Sequence, residues 1–237
     1  MNRLFNQRLA DRQRSAGARP LITYYDERSH VRTELSASSF GNWVDKTAGL
    51  LTDEILIEPG QPVRLDLART APGHWVSSVW AAAIWRVGCP ITVTGEAAVD
   101  VVGPELAEQP STDGERVACS LHPLGLGFGT TLPAGTTDYG TEVRAQPDSF
   151  GGPWPAAEDR AWDDQGTGRT QADLLLAVDG SATEQRRLII PSPGNDPWTT
   201  LVDTLLTPVL TGGSVVVVVG ADPDRRDQIA ATEQVDS

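Results

Sequence analysis

Residues 186–220, RRLIIPSPGNDPWTTLVDTLLTPVLTGGSVVVVVG, read as strand, turn, helix, double glycine and strand. Leu188, Ile189 and Ile190 form a short apolar run that stops at Pro191. Asn195 or Asp196 can cap a helix, because a short side-chain oxygen accepts from the unpaired N–H groups of the first turn. Pro197 then falls at the first helical position, where its missing N–H is not needed. Trp198, Leu201, Val202, Leu205 and Val209 recur at helical spacing and make one apolar stripe. Gly212 and Gly213 suit the left-handed conformation that ends a helix. Val215 to Val219 is the pattern of a strand covered on both faces. The whole predicts a right-handed parallel βαβ unit.

The same order occurs earlier in the chain. Val63 to Leu67 reads as a strand, Pro72-Gly73 as a turn and His74 to Val87 as a helix. The inward residues of that helix are Trp75, Val76, Val79, Trp80, Ala83, Ile84 and Val87, Gly88 stops it, and Pro90 to Thr94 is the returning strand. Two units of one design predict an α/β protein of two similar, doubly wound, mainly parallel-sheet subdomains. The expected boundaries are a polar leader at 1–18, a first subdomain with an N-terminal hairpin at 19–150, a shorter second one at 151–222, and an acidic tail at 223–237. The boundary rests on Phe150-Gly151-Gly152-Pro153-Trp154-Pro155, the best linker signal in the chain.

Within those limits the leader carries Leu4, Phe5 and Leu9 at helical spacing, which would dock it on the body. Leu21 to Tyr25 and Val31 to Leu35 read as a hairpin with His30 at a solvated tip. Ser36 opens a helix with Phe40, Trp43, Val44, Thr47 and Leu51 inward. Ala97 to Val102 and Val117 to Leu121 are further strand candidates, separated by a polar loop through Gly114. Leu124 to Gly129 is glycine-rich, but it has neither the spacing nor the lysine of a phosphate loop and reads as surface loop. Thr170 to Ala177 reads as a helix capped by Thr170, and Arg225 to Val235 as a frayed one.

The chain has 237 residues, 39% hydrophobic and 22% charged, with a formal net charge of −13. That charge argues against nucleic acid and anionic membrane surfaces as partners. No apolar run approaches the length of a membrane span, and arginines interrupt the N-terminus, so a cytoplasmic protein is expected. The 18 arginines leave one lysine, Lys46, which reads as a solvated surface residue. Cys89 and Cys119 show no metal spacing and read as small core residues in a reducing compartment.

Several stretches resemble the N-terminal region of the adenylate-forming superfamily, the AMP-binding and acyl-CoA synthetase enzymes. They are Leu21 to Asp26 with Arg32 to Ser36, Ala48 to Leu51 with Pro59 to Val63, Trp80 to Pro90, and Leu205 to Val216. The resemblance covers roughly residues 20–222, extends to a short actinobacterial-type family related to these enzymes, and implies their fold. It also exposes departures. The superfamily's phosphate loop ends in Pro-Lys-Gly, whereas the corresponding interval here, ADLLLAVDGSATEQ at 172–185, has no lysine. The metal and ribose motifs and the catalytic lysine of the small C-terminal domain would fall beyond residue 237. A truncated relative without adenylation chemistry is expected.

Open α/β sheets bind ligands outside the carboxyl ends of their strands. In the two units those positions hold Asp66, Arg69 and His74, and Ser192, Gly194, Asn195 and Asp196. These are the candidate ligand-binding residues; no catalytic or metal-ligating set emerges. No cofactor is required, with adenine nucleotide or CoA the candidate ligands. The leading expectation is a non-catalytic module for a small ligand or a protein. The alternatives are a ligase or transferase completed by a partner chain, with Arg64, Arg69 or Arg186 replacing lysine at the phosphate, and a structural partner subunit.

Overall fold

The computed structural model describes residues 3–109, 114–192 and 194–236; part of the polar loop before Gly114 and Pro193 lie outside the described residues. In chain order the main elements begin with α1 (Phe5–Ala16), β1 (Pro20–Asp26), β2 (Val31–Ser36), α2 (Ala37–Gly49), β3 (Val63–Leu65) and α3 (Trp75–Arg86). Then come β4 (Ile91–Thr92), β5 (Val99–Val102), β6 (Glu115–Ala118), β7 (Thr136–Asp138), β8 (Arg160–Asp164), β9 (Thr167–Thr170) and α4 (Gln171–Leu176). The last are β10 (Arg186–Ile189), α5 in three consecutive segments (Pro197–Leu201, Val202–Leu206 and Thr207–Thr211), β11 (Ser214–Val219) and α6 (Pro223–Thr232).

Both βαβ units form as expected. β3 pairs with β4 and β10 with β11, each in parallel across its helix. They lie in two mainly parallel sheets, of order β10-β11-β1-β2 and β7-β6-β5-β3-β4-β8-β9, each with one antiparallel strand at an edge. The five-valine strand β11 is interior, between β10 and β1.

The chain crosses between the sheets more than once. The N-terminal hairpin joins β11 rather than β3, through Ile22 opposite Val215 to Asp26 opposite Val219. β8 and β9, which follow the glycine-rich linker, add to the sheet of β3 and β4. The linker itself is pinned. Arg86, at the end of α3 and 4% exposed, donates to the carbonyls of Pro153, Phe150 and Gly152, and its guanidinium lies 3.9 Å from the centroid of the Trp154 ring.

Helix α3 departs from the amphipathic pattern expected of it. Every residue from Trp75 to Arg86 is buried, Ser77, Ser78 and Trp85 as well as the predicted stripe. A helix enclosed on all sides needs no polar face. Sheets, α1 and α2 surround it, and one continuous core joins Trp75, Trp80 and Trp85 to Leu21, Val215 and Val217 of the small sheet. The alternate valines Val216 and Val218 face a second cluster with Tyr25, Ala221 and Ile229. β11 is therefore apolar throughout because both its faces are covered.

Local capping follows the sequence closely. Ser36, Thr170 and Asp196 each accept from the backbone N–H three residues on. Gly212 ends α5 at φ 83°. Inside α5, however, the helix is not uniform: Pro197–Leu201 and Thr207–Thr211 are α-helical, and Val202–Leu206 is a wide π turn. Pro208 supplies the reason, since its ring has no N–H to donate and would collide with the carbonyl four residues earlier. The returning strand of the first unit is shortened to Ile91–Thr92, because the Asp164 carboxylate accepts from the N–H groups of Val93 and Thr94 that would continue the ladder.

Two readings of charged residues are corrected. Lys46 is not solvated: its side chain is 21% exposed, donates to the Gln146 carbonyl and pairs with Asp148 at 3.1 Å. The expected C-terminal helix forms, but it is not frayed. Asp222 caps α6, Ile229 is buried against β11, and Glu233 joins Arg32, Arg186 and the Tyr25 hydroxyl. Burial opposes ionisation of Glu233, but these donors outweigh it and hold its pKa down at about 2.

Two outcomes follow. Trp80 is fully buried, so Trp80→Ala should lower the free energy of unfolding by about 3–5 kcal/mol in a denaturant titration. The Glu233 contribution is complete above its ordinary value of 4.5 and is lost as the pH falls through about 2. Between pH 7 and pH 3 the wild type should lose about 2 kcal/mol more stability than Glu233→Gln; equal losses in the two proteins would show that Glu233 does not anchor α6.

Candidate functional site

A crevice of about 700 Å³ opens where the carboxyl ends of strands from both sheets meet. The small sheet contributes Tyr24 and Asp26 at the end of β1, Val219 and Gly220 at the end of β11, and Pro191 and Ser192 beyond β10. The large sheet contributes the stretch after β6, Ser120 to Pro123, while Thr70 to Pro72 and His74 form the wall between. The volume lies within the range of small-molecule sites.

Gly73 sets how closely the two walls approach. It has φ 75°, and a Cβ placed on it would stand 2.8 Å from Pro191 Cγ and 3.0 Å from Val217 Cγ1. A left-handed glycine without a side chain is what lets the first unit's turn rest on the second unit's sheet. On the other side Thr33 Oγ1 donates to the Pro123 carbonyl at 3.2 Å, tying the hairpin to the loop after β6.

Of the sequence-predicted residues, the fold brings His74 and Ser192 into this crevice from units more than a hundred residues apart. Asp66 and Arg69 do not line it; they pair with each other at 2.6 Å beside the one-turn helix Leu67–Thr70. Gly194, Asn195 and Asp196 also lie outside it. Asn195 N–H closes a turn on the Ser192 carbonyl, Gly194 takes φ 91°, and Asp196 Oδ2 accepts from Thr199 N–H at 3.0 Å as the cap of α5.

His74 is held rather than free. It is 5% exposed, its Nδ1 accepts from Val76 N–H at 3.2 Å as the cap of α3, and a hydrogen bond to the Leu121 backbone engages the ring again. The neutral ring therefore carries its proton on Nε2. Burial, only partly opposed by Asp26 and Leu121, pulls its pKa down to about 4. Leu121 itself sits at φ 58°, a left-handed conformation rare for a branched residue. His74 is thus a structural post of the crevice and has no lone pair to offer as a base.

Four crevice residues lie outside the candidate set read from the sequence. Asp26 ends β1 and Arg28 lies in the hairpin turn: Asp26 Oδ1 accepts from the Arg28 backbone N–H at 3.0 Å and its Nε at 3.2 Å. Burial works against the Asp26 charge, but these donors keep its carboxyl below the usual range. The stem of Arg28 rests against Gly220, where a Cβ would come within 2.7 Å of its Cγ. His122 accepts from Leu124 N–H at Nδ1, which leaves Nε2–H as a donor. Arg226 arrives from α6; no carboxylate pairs with it among the described residues, and its Nε is buried without a partner. His122 Nε2–H and Arg226 offer donors to the crevice, and the Glu105 carboxylate lines it as well. Of the four, His122, at a strand end beside a proline, is the one a local pattern could have flagged.

This architecture is that of the N-terminal region of adenylate-forming acyl-CoA synthetases. An acyl-CoA synthetase from Brucella canis aligns over 99% of this chain and 46% of its own length, with TM-score 0.76 and 15% identity. Acetoacetyl-CoA synthetase from Streptomyces lividans aligns over 98% and 41%, with TM-score 0.71 and 16% identity. The N-terminal domain of FACL13 from Mycobacterium tuberculosis aligns over 99% and 62%, with TM-score 0.68 and 12% identity. The chain thus spans about half the length of the two synthetases, and at these identities the likeness is one of fold. No protein-family profile matches the chain. A TIGR03089 family protein from Mycobacterium tuberculosis is 32% identical over 233 residues, covering 91% of this chain and 89% of the relative. The chain belongs to that family.

The buried, uncharged state of His74 has a measurable consequence. Its folded pKa is about 4 against an ordinary 6.5, so the unfolded chain binds a proton in that interval that the folded chain refuses. Stability should be full above pH 6.5 and fall by on the order of 2–3 kcal/mol as the pH drops through 4. His74→Asn, which keeps a capping side chain, should flatten that part of the pH profile measured by denaturant titration.

Proposed function

We propose that this protein is a non-catalytic member of the adenylate-forming lineage that binds a small polar ligand in the crevice between its two sheets. The observation that carries the reading is the 700 Å³ crevice itself, with Arg226 unpaired and His122 Nε2–H free to donate. A ligand rich in acceptor oxygens suits it, and adenine nucleotide and CoA are the first to try. Neither nucleic acid nor a membrane surface is proposed as a partner; among the described residues no helix is long and apolar enough to cross a bilayer. The reading places the protein in the cytoplasm, where the buried free thiols Cys89 and Cys119 would persist.

The residues available for phosphoryl chemistry are otherwise engaged, which supports a non-catalytic role. Adenylation needs preorganised donors on the transferring phosphate. In the interval that corresponds to the phosphate loop, Asp179 Oδ1 accepts from Ser181 N–H at 2.8 Å, so that backbone donor is already engaged by a carboxylate. Lys46 is held by Gln146 and Asp148. The arginines that could replace lysine are each paired: Arg64 with Asp100 at 2.6 Å, Arg69 with Asp66, and Arg186 with Glu233.

A second reading, a structural partner subunit, draws on an exposed groove beside α1. Leu4 and Ala10 face Trp154 and Leu176 there, and Leu176 is 80% exposed.

The experiment is a thermal-shift screen of the purified chain against ATP, AMP, CoA and acyl-CoA, paired with ATP–pyrophosphate exchange across fatty, aromatic and amino acid substrates. Exchange should stay at background. At least one ligand should raise the melting temperature of the wild type and fail to raise that of Arg226→Gln. Exchange above background would establish the ligase alternative. A flat screen together with a stable oligomer in light scattering would favour the partner subunit.

A further inference from the structure

We propose that a second cleft, at the amino ends of the small sheet's parallel strands, is an anion site that takes a phosphate group on Arg12. The cleft has a volume of about 400 Å³ and lies between α1, the start of β1, the approach to β10 and the turn from Gly212 to Ser214. The crevice described above lies at the opposite, carboxyl ends of the same strands.

Arg12 is 8% exposed and lines this cleft. Among the described residues it makes no hydrogen bond or ion pair, and its Nε is buried without a partner. A guanidinium does not give up its proton in a protein, and a buried charge without a counter-ion is strongly unfavourable. The position next to the end of α5 does not resolve this. Arg12 Nη1 comes within 3.6 Å of where a Cβ on Gly212 would stand, yet it donates to none of the helix's last carbonyls. Burial weakens the hold of the guanidinium on its proton, with Glu184 working in the other direction.

Two more arginines converge on the same space. Arg186 has its Nη groups on Ser214, Thr23 and Glu233, while its Nε is buried and unpartnered like that of Arg12. Among the described residues the Arg19 side chain pairs with Glu184 alone, at 2.9 Å, and the two side chains are 66% and 59% exposed. Such a surface pair holds weakly, so Arg19 can exchange Glu184 for a stronger anion. The unpaired guanidinium of Arg12 and the movable one of Arg19, with Arg186 beside them, suit a tetrahedral oxyanion, which accepts from several forks at once. The carboxylates at the rim are Glu184 and Asp236; the latter accepts from Arg186 N–H. Their repulsion opposes the anion, which makes the effect of removing one of them diagnostic.

The cleft is larger than a bare phosphate, so the phosphate group can be free or carried by a small phosphomonoester. The test measures melting temperature against increasing inorganic phosphate and, separately, glycerol 3-phosphate, with chloride balancing ionic strength. The wild type should be stabilised by at least one of them and not by chloride, and the stronger of the two identifies the source. Arg12→Met should weaken the apparent affinity at least tenfold while leaving the melting temperature in chloride unchanged or raised, because it removes a charge that has no partner. Glu184→Gln, which frees Arg19 and lowers the repulsion, should tighten binding several-fold. The proposal is overturned if phosphate does not stabilise the wild type, or if Arg12→Met keeps the phosphate response. It is also overturned if Arg12→Met loses stability equally in chloride and phosphate, the sign of a purely structural arginine, or if Glu184→Gln does not tighten binding.

Discussion

Burial of α3 on every side is the constraint from which the rest of the structure follows. A helix that carries Trp75, Trp80 and Trp85 on different faces cannot lie on a surface. It must be enclosed, and α1, α2 and strands of the large sheet supply the enclosure. Its two ends then become buried polar problems. At the start, the His74 ring satisfies the first turn and reaches the Leu121 backbone. At the finish, Arg86 sits where a cation is favoured by the helix dipole and gathers three carbonyls of the 150–153 loop. One helix thereby fixes a wall of the crevice at one end and a long glycine-rich loop at the other.

The two sheets share that enclosure, so they do not behave as separate cores. Val215 and Val217 face the tryptophans, while Val216 and Val218 face α6. The small sheet is a layer with material on both sides, and α6 is the outer layer. Its attachment is electrostatic as well as apolar, through Glu233 on Arg32 and Arg186 and through Arg225 on Glu27 at 2.8 Å. Since Arg226 of the same helix lines the crevice, whatever holds α6 in place also completes the site.

The charges divide into those that hold the fold and those left unpaired. Arg64, Arg69, Arg186, Arg225 and Lys46 all meet carboxylates. Among the described residues Arg12 and Arg226 meet none, and each lines a concavity, one at either end of the small sheet's strands. Under the two proposals above, these are the positions at which an anion or acceptor from outside would be stabilised.

What the sequence determined by itself was everything governed by neighbours along the chain. Ser36, Thr170 and Asp196 cap helices, Gly212 ends one, and Val215 to Val219 is a doubly covered strand, because caps, stops and periodicity act over a few residues. Motif resemblance added the fold. Tertiary structure decided the rest. It put the N-terminal hairpin beside β11 rather than β3, turned a predicted tail into the helix that covers that strand, and kept Asp66 and Asn195 out of the crevice while admitting Asp26, His122 and Arg226. Strand order, the meeting of distant loops and the pairing of charges depend on contacts between segments up to two hundred residues apart. No local pattern encodes which buried arginine will find a partner and which will be left facing a cleft.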